Sequence, residues 1–340
     1  VEEKLRPGER SQSVVALRNR LIEQGYLRNT LSDRYGKILR SAVQSFQKDH
    51  GLSPDGVACP LTLAELNVPV KDRLKAISVA MERERWVNGE NWLDLPKSAR
   101  QVQVNLTDFS AKILDDDVVV FETRSVIGAN DEKRRSPEFS DRMEHMVVNP
   151  TWNVPRSITV GEYLPELQLD PFALSELTLI NPEGESVDRF NINFNDYTEE
   201  NFPYDLKQKP SQRNALGLVK FMFPNPHNIY LHDTPQKSLF SRDERAFSHG
   251  CIRLHQPFDF AYALLAKQTS TPKKTFQTAL DLGEENIIFL RQPVPVHIIY
   301  RTAVTGPDGR IGFRRDIYGR DAQIFAALQK AGVVITSNQG

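Results

Sequence analysis

The sequence predicts an α+β fold: a mostly antiparallel β-sheet domain with a capping insertion, preceded by a small three-helix N-terminal domain. Three observations carry this. Apolar residues recur at helical spacing over the first seventy positions, the pattern changes to period two from Gln101, and a turn-rich, aromatic stretch from Ser157 to about Arg213 interrupts the alternation. With 340 residues and 39% hydrophobic content the chain can bury a sizeable core divided among domains. The expected boundaries are a helical module at 1–70, a linking helix at 71–97, a sheet domain at 98–300 with its insertion at about 157–213, and a hairpin and helix at 301–340.

In the module, Ser11 can cap a helix carrying Val14, Val15, Leu17, Leu21 and Ile22, which Gly25 ends. A second helix carries Ile38, Leu39, Ala42, Val43 and Phe46 and stops at Gly51. Pro54-Asp55-Gly56 turns the chain into a short helix at Leu61 to Leu66. The linking helix, from about Asp72 to Trp86, places Leu74, Ile77, Ala80 and Met81 on one stripe, with Trp86 and Trp92 expected to pack it against the sheet domain. Cys59 reads as a small buried filler.

Val102, Val104 and Leu106 begin the alternating region. Strands at Lys112 to Leu114 and Val118 to Phe121 flank the turn Asp115-Asp116-Asp117, whose carboxylates are expected to be solvated rather than to hold a cation. Further strands are expected at Ser125 to Ile127, His145 to Asn149, Gly217 to Phe223, Ile229 to His232 and Val294 to Tyr300, the last placing His297 structurally. Asn149 to Pro155 is a rigid two-proline loop in which Trp152 is either a cleft wall or a core residue. The insertion opens with a helix at Val160 to Gln168. Pro257 sits in the first turn of a helix to about Lys267. Gly306-Pro307-Asp308-Gly309 turns a hairpin into Ile311 to Ile317, and a helix closes at Ala322 to Leu328. No internal repeat or low-complexity tract appears.

The chemistry concentrates in Ser248-His249-Gly250-Cys251-Ile252-Arg253-Leu254, which sets one of only two cysteines beside histidine and glycine. The thiolate is the reactive form of cysteine, so a nucleophilic Cys needs an imidazole or another positive dipole nearby. His249 and Gly250 supply part of that setting, and the Gly250 N–H can face an oxygen that becomes negative when sulfur attacks. Upstream, alternation in Asn228-Ile229-Tyr230-Leu231-His232-Asp233 puts Tyr230 and His232 on one strand face. His232 can take the thiol proton and later return it to a leaving amine, while the Asp233 carboxylate or carbonyl fixes which ring nitrogen carries hydrogen.

Together these segments resemble the L,D-transpeptidases of peptidoglycan synthesis, in the long Gram-negative type that carries a capping insertion. The resemblance implies a cysteine acyl transferase that cuts a tetrapeptide stem after its diaminopimelate, forms a thioester and passes the acyl group to an amine of a second stem. Cys251 falls on the family's nucleophile and His232 on its base. His249, Gly250 and the Cys251 amide fall on the strip lining the oxyanion site, and Arg253 on the motif arginine, a substrate-positioning or structural residue. Tyr230, Asp233 and Ser248 complete the positioning set. The partners implied are peptidoglycan stem peptides as donor and acceptor, carbapenem-type β-lactams as inhibitors, and other wall-synthesis proteins. Ala42 to Gln47 and Gly51 to Ala58 resemble a peptidoglycan-binding module, which implies a substrate anchor. The family also implies a lid role for the insertion and a periplasmic or envelope location, with an export signal preceding Val1.

Rival readings remain. His232, His249, Cys251 and His255 are potential zinc ligands, but paired ligand spacings are absent and no metal or cofactor is expected. A Cys59–Cys251 disulfide would consume the nucleophile and is not expected. The same site with water as acceptor makes an L,D-carboxypeptidase, and with a protein lysine an anchoring transferase. A vestigial site makes a wall-binding scaffold. With 43 basic and 44 acidic residues and net charge −1, nothing indicates a nucleic-acid surface, and no apolar run approaches the roughly eighteen residues of a membrane span.

Overall fold

The computed structural model describes residues 4–87, 100–306 and 309–335. The chain divides into two compact units, one of Val1–Leu95, Asn105–Phe109 and Ile299–Gly340, the other of Pro96–Val104 and Ser110–Ile298. The class is α+β, as the sequence predicts. Trp92 and the Pro307-Asp308 tip of the expected hairpin lie outside the described residues.

The first unit opens with α1 (Gln12–Glu23), α2 (Lys37–Asp49), α3 (Pro60–Leu66) and α4 (Val70–Val87). The Ser11 hydroxyl accepts the Val14 N–H at 3.2 Å, satisfying one of the donors a helix start leaves open. Val14, Leu17 and Leu21 meet Leu39, Val43, Phe46, Leu63 and Leu66 in one core. Fully burying such a side chain contributes about 1.5–3 kcal/mol. Cys59 is not a buried filler. It is half-exposed at the N-cap of α3, its sulfur 3.4 Å from Thr62 Oγ1, because a residue before proline is held extended and stays outside the helix. Trp86 is 48% exposed and donates its indole N–H to Glu82 one turn back.

The second unit contains β1 (Gln101–Asn105), β2 (Ser110–Asp115), β3 (Val118–Gly128), β4 (Phe139–Val148), β5 (Trp152–Asn153), β6 (Leu177–Ile180), β7 (Ser186–Val187), β8 (Asp205–Gln208), β9 (Val219–Met222), β10 (Leu231–His232), β11 (Ala246–Ser248), β12 (Ile252–Leu254) and β13 (Asn286–Ile299). A nine-stranded sheet runs β11-β3-β12-β10-β9-β4-β13-β1-β2, and β2 also pairs with β3. The sheet therefore closes on itself, with β11 attached outside the ring. Closure removes the open edges that an isolated sheet must protect. Among the described residues most ladders are antiparallel, but β10 lies parallel to β12 and β11 parallel to β3. Phe221, Leu231, Ile252 and Leu254 are completely buried, and Phe260 of α7 (Pro257–Leu265) meets Phe221 edge-on at 4.8 Å. A helix the sequence reading missed, α8 (Pro272–Asp281), buries Phe276 and Ala279.

The insertion has its own four-stranded sheet, β5-β8-β6-β7, and its own core of Trp152, Leu164, Leu167, Leu177, Leu179, Phe194, Phe202 and Leu206. The single helix expected at Val160 to Gln168 is divided into α5 (Arg156–Ile158), a π-helical turn Thr159–Tyr163 and α6 (Leu164–Leu169). Pro165, in the first turn of α6, lacks the N–H that a continuous helix would require. In the acidic turn, Asp116 and Asp117 have positive φ. Asp115 is not simply solvated: Arg100 grips both carboxylate oxygens at 2.8 and 2.7 Å, and Lys267 approaches to 3.2 Å.

The closing residues, β14 (Ala303–Thr305), β15 (Ile311–Phe313) and α9 (Asp321–Lys330), belong to the first unit. A Cβ at Gly312 would lie 2.3 Å from the Asp49 carbonyl oxygen, so only glycine permits this approach to the end of α2. The strand expected to reach Ile317 ends at Phe313, where the Arg314 N–H turns to the Thr302 carbonyl and its guanidinium to the Asp49 carbonyl.

Candidate active site

Three neighbouring strands set the site. Leu231 pairs with Ile252 and His232 with Arg253 across the parallel ladder, while His232 pairs with Lys220 across the antiparallel one. Residues opposite each other in a ladder share a face and alternate residues return to it. Lys220, Tyr230, His232, Cys251 and Arg253 therefore occupy one face, and Phe221, Leu231, Ile252 and Leu254 fill the core on the other. Cys251 and His232 are diagonal neighbours, a separation of about 7–8 Å between Cα positions that aromatic and long side chains span.

His232 is 4% exposed, and its Nδ1 lies 2.5 Å from the Asp233 carbonyl oxygen. A carbonyl can only accept, so Nδ1 carries the hydrogen and Nε2 is left as the basic nitrogen. Of the two possibilities for Asp233, its main chain orients the ring. Its carboxylate instead accepts from the Leu218 N–H at 3.0 Å, the Thr234 N–H at 2.7 Å and Lys237 at 2.6 Å. Gly217, at φ +61°, makes room for it, since a Cβ there would stand 2.3 Å from that carboxylate. Burial, assisted by the Arg253 charge, pushes the imidazole down to about 3, against the carbonyls of Asp233 and Leu216.

Cys251 is a free, half-buried cysteine whose thiol donates to the Asn228 carbonyl at 3.5 Å. Although some of its surface is open, its sulfur is closely ringed. Desolvation pushes the thiol up to about 11, opposed by hydrogen bonds from Tyr230 and by the charges of Arg253 and Lys220. Tyr230 packs edge-on to His232 at 5.6 Å and so bridges imidazole and sulfur. Arg253 is bonded to Gln236 at 2.6 Å, while its buried Nε has no partner among the described residues. Burial thus favours the neutral form of both the thiol and the imidazole.

The turn before Cys251 differs from the sequence reading in two ways. The Gly250 N–H does not face an open oxyanion position: it donates to Ser248 Oγ at 3.2 Å, whose hydroxyl in turn donates to the Cys251 carbonyl at 2.5 Å. The Gly250 carbonyl accepts from Ser136 Oγ at 2.6 Å. Gly250 is needed for its φ of +117°. His249 points at the insertion, its Nε2 2.7 Å from Glu162 of the π-helical turn, which also accepts from Arg134 at 2.7 Å. Neither residue supplies a donor beside the sulfur, because a tight turn consumes its own polar groups. Among the described residues the Cys251 amide is not consumed in this way.

Trp152 belongs to the insertion's core, edge-on to Tyr163. His255 packs against Phe240, and His297 bonds Ser140 at 2.6 Å. Among the described residues no group of three or more His, Cys, Asp or Glu side chains is arranged to hold a metal. The sequence reading missed Lys220, Glu162, Arg134 and Ser136. Only Lys220 carried a signal, a lone cation within the alternating run Val219 to Met222.

This face brings a thiol, an imidazole, a phenol and two cations together on neighbouring strands. Residues 99–275 match the family profile of the L,D-transpeptidase catalytic domain, and the chain belongs to that family. Residues 10–66 match a profile described as "Putative peptidoglycan binding domain". A Haemophilus influenzae protein described as "Putative L,D-transpeptidase" is 31% identical over 240 residues, covering 70% of this chain and 48% of that protein. The chain thus spans about half the length of this curated relative. Among solved structures, an L,D-transpeptidase of Xylanimonas cellulosilytica is 15% identical over 88% of this chain and 98% of that one, with a TM-score of 0.25. One of Stackebrandtia nassauensis is 14% identical over 86% and 94%, with a TM-score of 0.31. An L,D-transpeptidase in complex with imipenem is 13% identical over 59% of each chain, with a TM-score of 0.26. Structural likeness at these scores carries no further conclusion.

Proposed function

We propose that the protein is an L,D-transpeptidase that cross-links peptidoglycan, with Cys251 as nucleophile and His232 as base. The observation that carries this reading is the parallel register of β10 with β12, which sets the oriented imidazole diagonal to the thiol. His232 Nε2 takes the Cys251 proton as sulfur bonds to the carbonyl carbon of a donor stem. The resulting oxyanion receives the Cys251 N–H. When the C–N bond breaks, the imidazolium returns its proton to the leaving amine and a thioester remains. The acceptor amine then attacks, gives its proton to His232, forms the new amide and releases the sulfur, which regains the proton. Because burial favours the neutral thiol and the neutral imidazole, proton transfer is read as accompanying attack instead of preceding it. Tyr230 and Arg253 stabilise the developing thiolate, and Glu162 ties the insertion to the motif through His249 and Arg134. The helical module anchors the enzyme on its polymer, and the site of action is the cell envelope. Carbapenem-type β-lactams acylate the same sulfur.

Incubation with a tetrapeptide donor, followed by intact-mass analysis and peptide mapping, tests the proposal. A thioester on Cys251, absent in Cys251→Ala and resolved by an added amine into a cross-linked product, is expected. Persistence of the adduct in Cys251→Ala overturns the nucleophile assignment. Release by water alone points to an L,D-carboxypeptidase, and absence of any adduct with retained binding to sacculi points to a scaffold.

A further inference from the structure

Lys220 is the cation of this face that the mechanism leaves unused. It is half-buried and makes no hydrogen bond or ion pair among the described residues. Glu285 contributes to its electrostatic surroundings but makes no ion pair with it, and the Glu285 carboxylate accepts the Thr151 N–H at 2.6 Å. Burial lowers the Lys220 ammonium, while Cys251 and Glu285 oppose that shift. A partly desolvated ammonium with no ion-pair partner among the described residues favours an anion that arrives against it.

The order of groups across the strands suggests which anion. From β12 through β10 to β9 the face carries the Cys251 thiol, the His232 imidazole and the Lys220 ammonium, with neighbouring strands about 4.8 Å apart. In the proposed reaction the thiol meets the scissile carbonyl and the imidazole meets the leaving amine. The next group along an amino-acid leaving group is its own carboxylate. Resting on that reaction, we infer that Lys220 is a specificity residue that binds the free C-terminal carboxylate of the residue released from the donor. The carboxylate supplies the ion-pair partner that Lys220 lacks among the described residues, and the pairing places the leaving nitrogen beside His232.

The test uses two peptide donors of identical sequence, one ending in a free carboxylate and one in a carboxamide, with the rate of Cys251 adduct formation measured by intact mass. A hydrogen-bonded charge pair of this kind predicts a preference of about tenfold to a hundredfold for the free acid in the wild type. In Lys220→Met and Lys220→Gln the ratio of the two rates falls toward one, and Lys220→Arg restores much of it. The ratio is internal to each variant, so a general loss of activity does not imitate the result. Equal rates in the wild type, or an unchanged ratio in Lys220→Met, overturn the inference while leaving the acyl-transfer reading intact. Absence of an adduct from either donor in the wild type overturns both.

Discussion

Each of the two units buries a histidine, and the pair shows what makes one of them suited to chemistry. His50 in the helical unit is 6% exposed, stacks on Phe46 at 4.0 Å and bonds through Nδ1 to Glu65 at 3.1 Å. Glu65 is held in turn by Arg73 at 2.6 Å. His232 is as deeply buried, but its Nδ1 meets a main-chain carbonyl. Burial lowers both imidazoles. Glu65 ties His50 into a network that joins α2, α3 and α4. The carbonyl only orients His232, and the proposed function assigns its other nitrogen to the cleft. Partner type, more than residue type or burial, separates a structural histidine from one able to move a proton.

The largest effect expected breaks the comparison directly. His232→Gln reduces thioester formation by about 10²–10⁴-fold, the usual contribution of a positioned base. His50→Gln leaves acylation near wild type and lowers stability by about 1–3 kcal/mol, the cost of an unmet buried partner. Adduct rates and denaturant melts of the two variants check this pair, and loss of acylation in His50→Gln alone would reverse the assignment.

A second prediction concerns pH. The folded His232 resists protonation down to about 3, whereas an unfolded imidazole titrates near its ordinary 6.5. Below 6.5 the unfolded state binds more protons, so stability present above that pH is lost as pH falls toward about 3. His50 acts in the same direction. Melts from pH 7 to pH 4 should show a smaller acid-induced loss in His232→Gln than in the wild type; equal slopes would mean that the ring is not held neutral.

The smallest effect sharpens the cysteine side. Burial holds the Cys251 thiol up at about 11 and Tyr230 opposes that shift. Alkylation of Cys251 should therefore keep accelerating above pH 9, and Tyr230→Phe should slow it a few-fold at neutral pH. A plateau below pH 8 in the wild type would identify a preformed thiolate.

Much of this was legible locally. Ser11 announces a helix start, the alternation of Ile229 to His232 gives the face of the imidazole, and the motif around Cys251 stands out by its lack of apolar packing logic. Other features required distant partners. The split helix at Thr159 to Leu169 and the insertion's sheet were obscured because Leu177, Leu179 and Leu206 find their core far along the chain. The Gly250 amide was misread because its acceptor is the neighbouring Ser248 hydroxyl, a choice fixed by the turn's geometry. Lys220 is one cation in an alternating strand, and only the pairing with His232 gives it a place on the reactive face.

The sequence by itself determined the α+β class, the helical module and the motifs that carry the thiol and the imidazole, because capping, periodicity and turn preferences act within a few residues. Only the tertiary structure decided that the sheet closes through β2 and β3, that Asp233 orients His232 through its carbonyl, and that Lys220 joins His232 and Arg253 in one row. Those choices depend on strand register, which is set by burial of one whole sheet face at once and so cannot be read from any short segment.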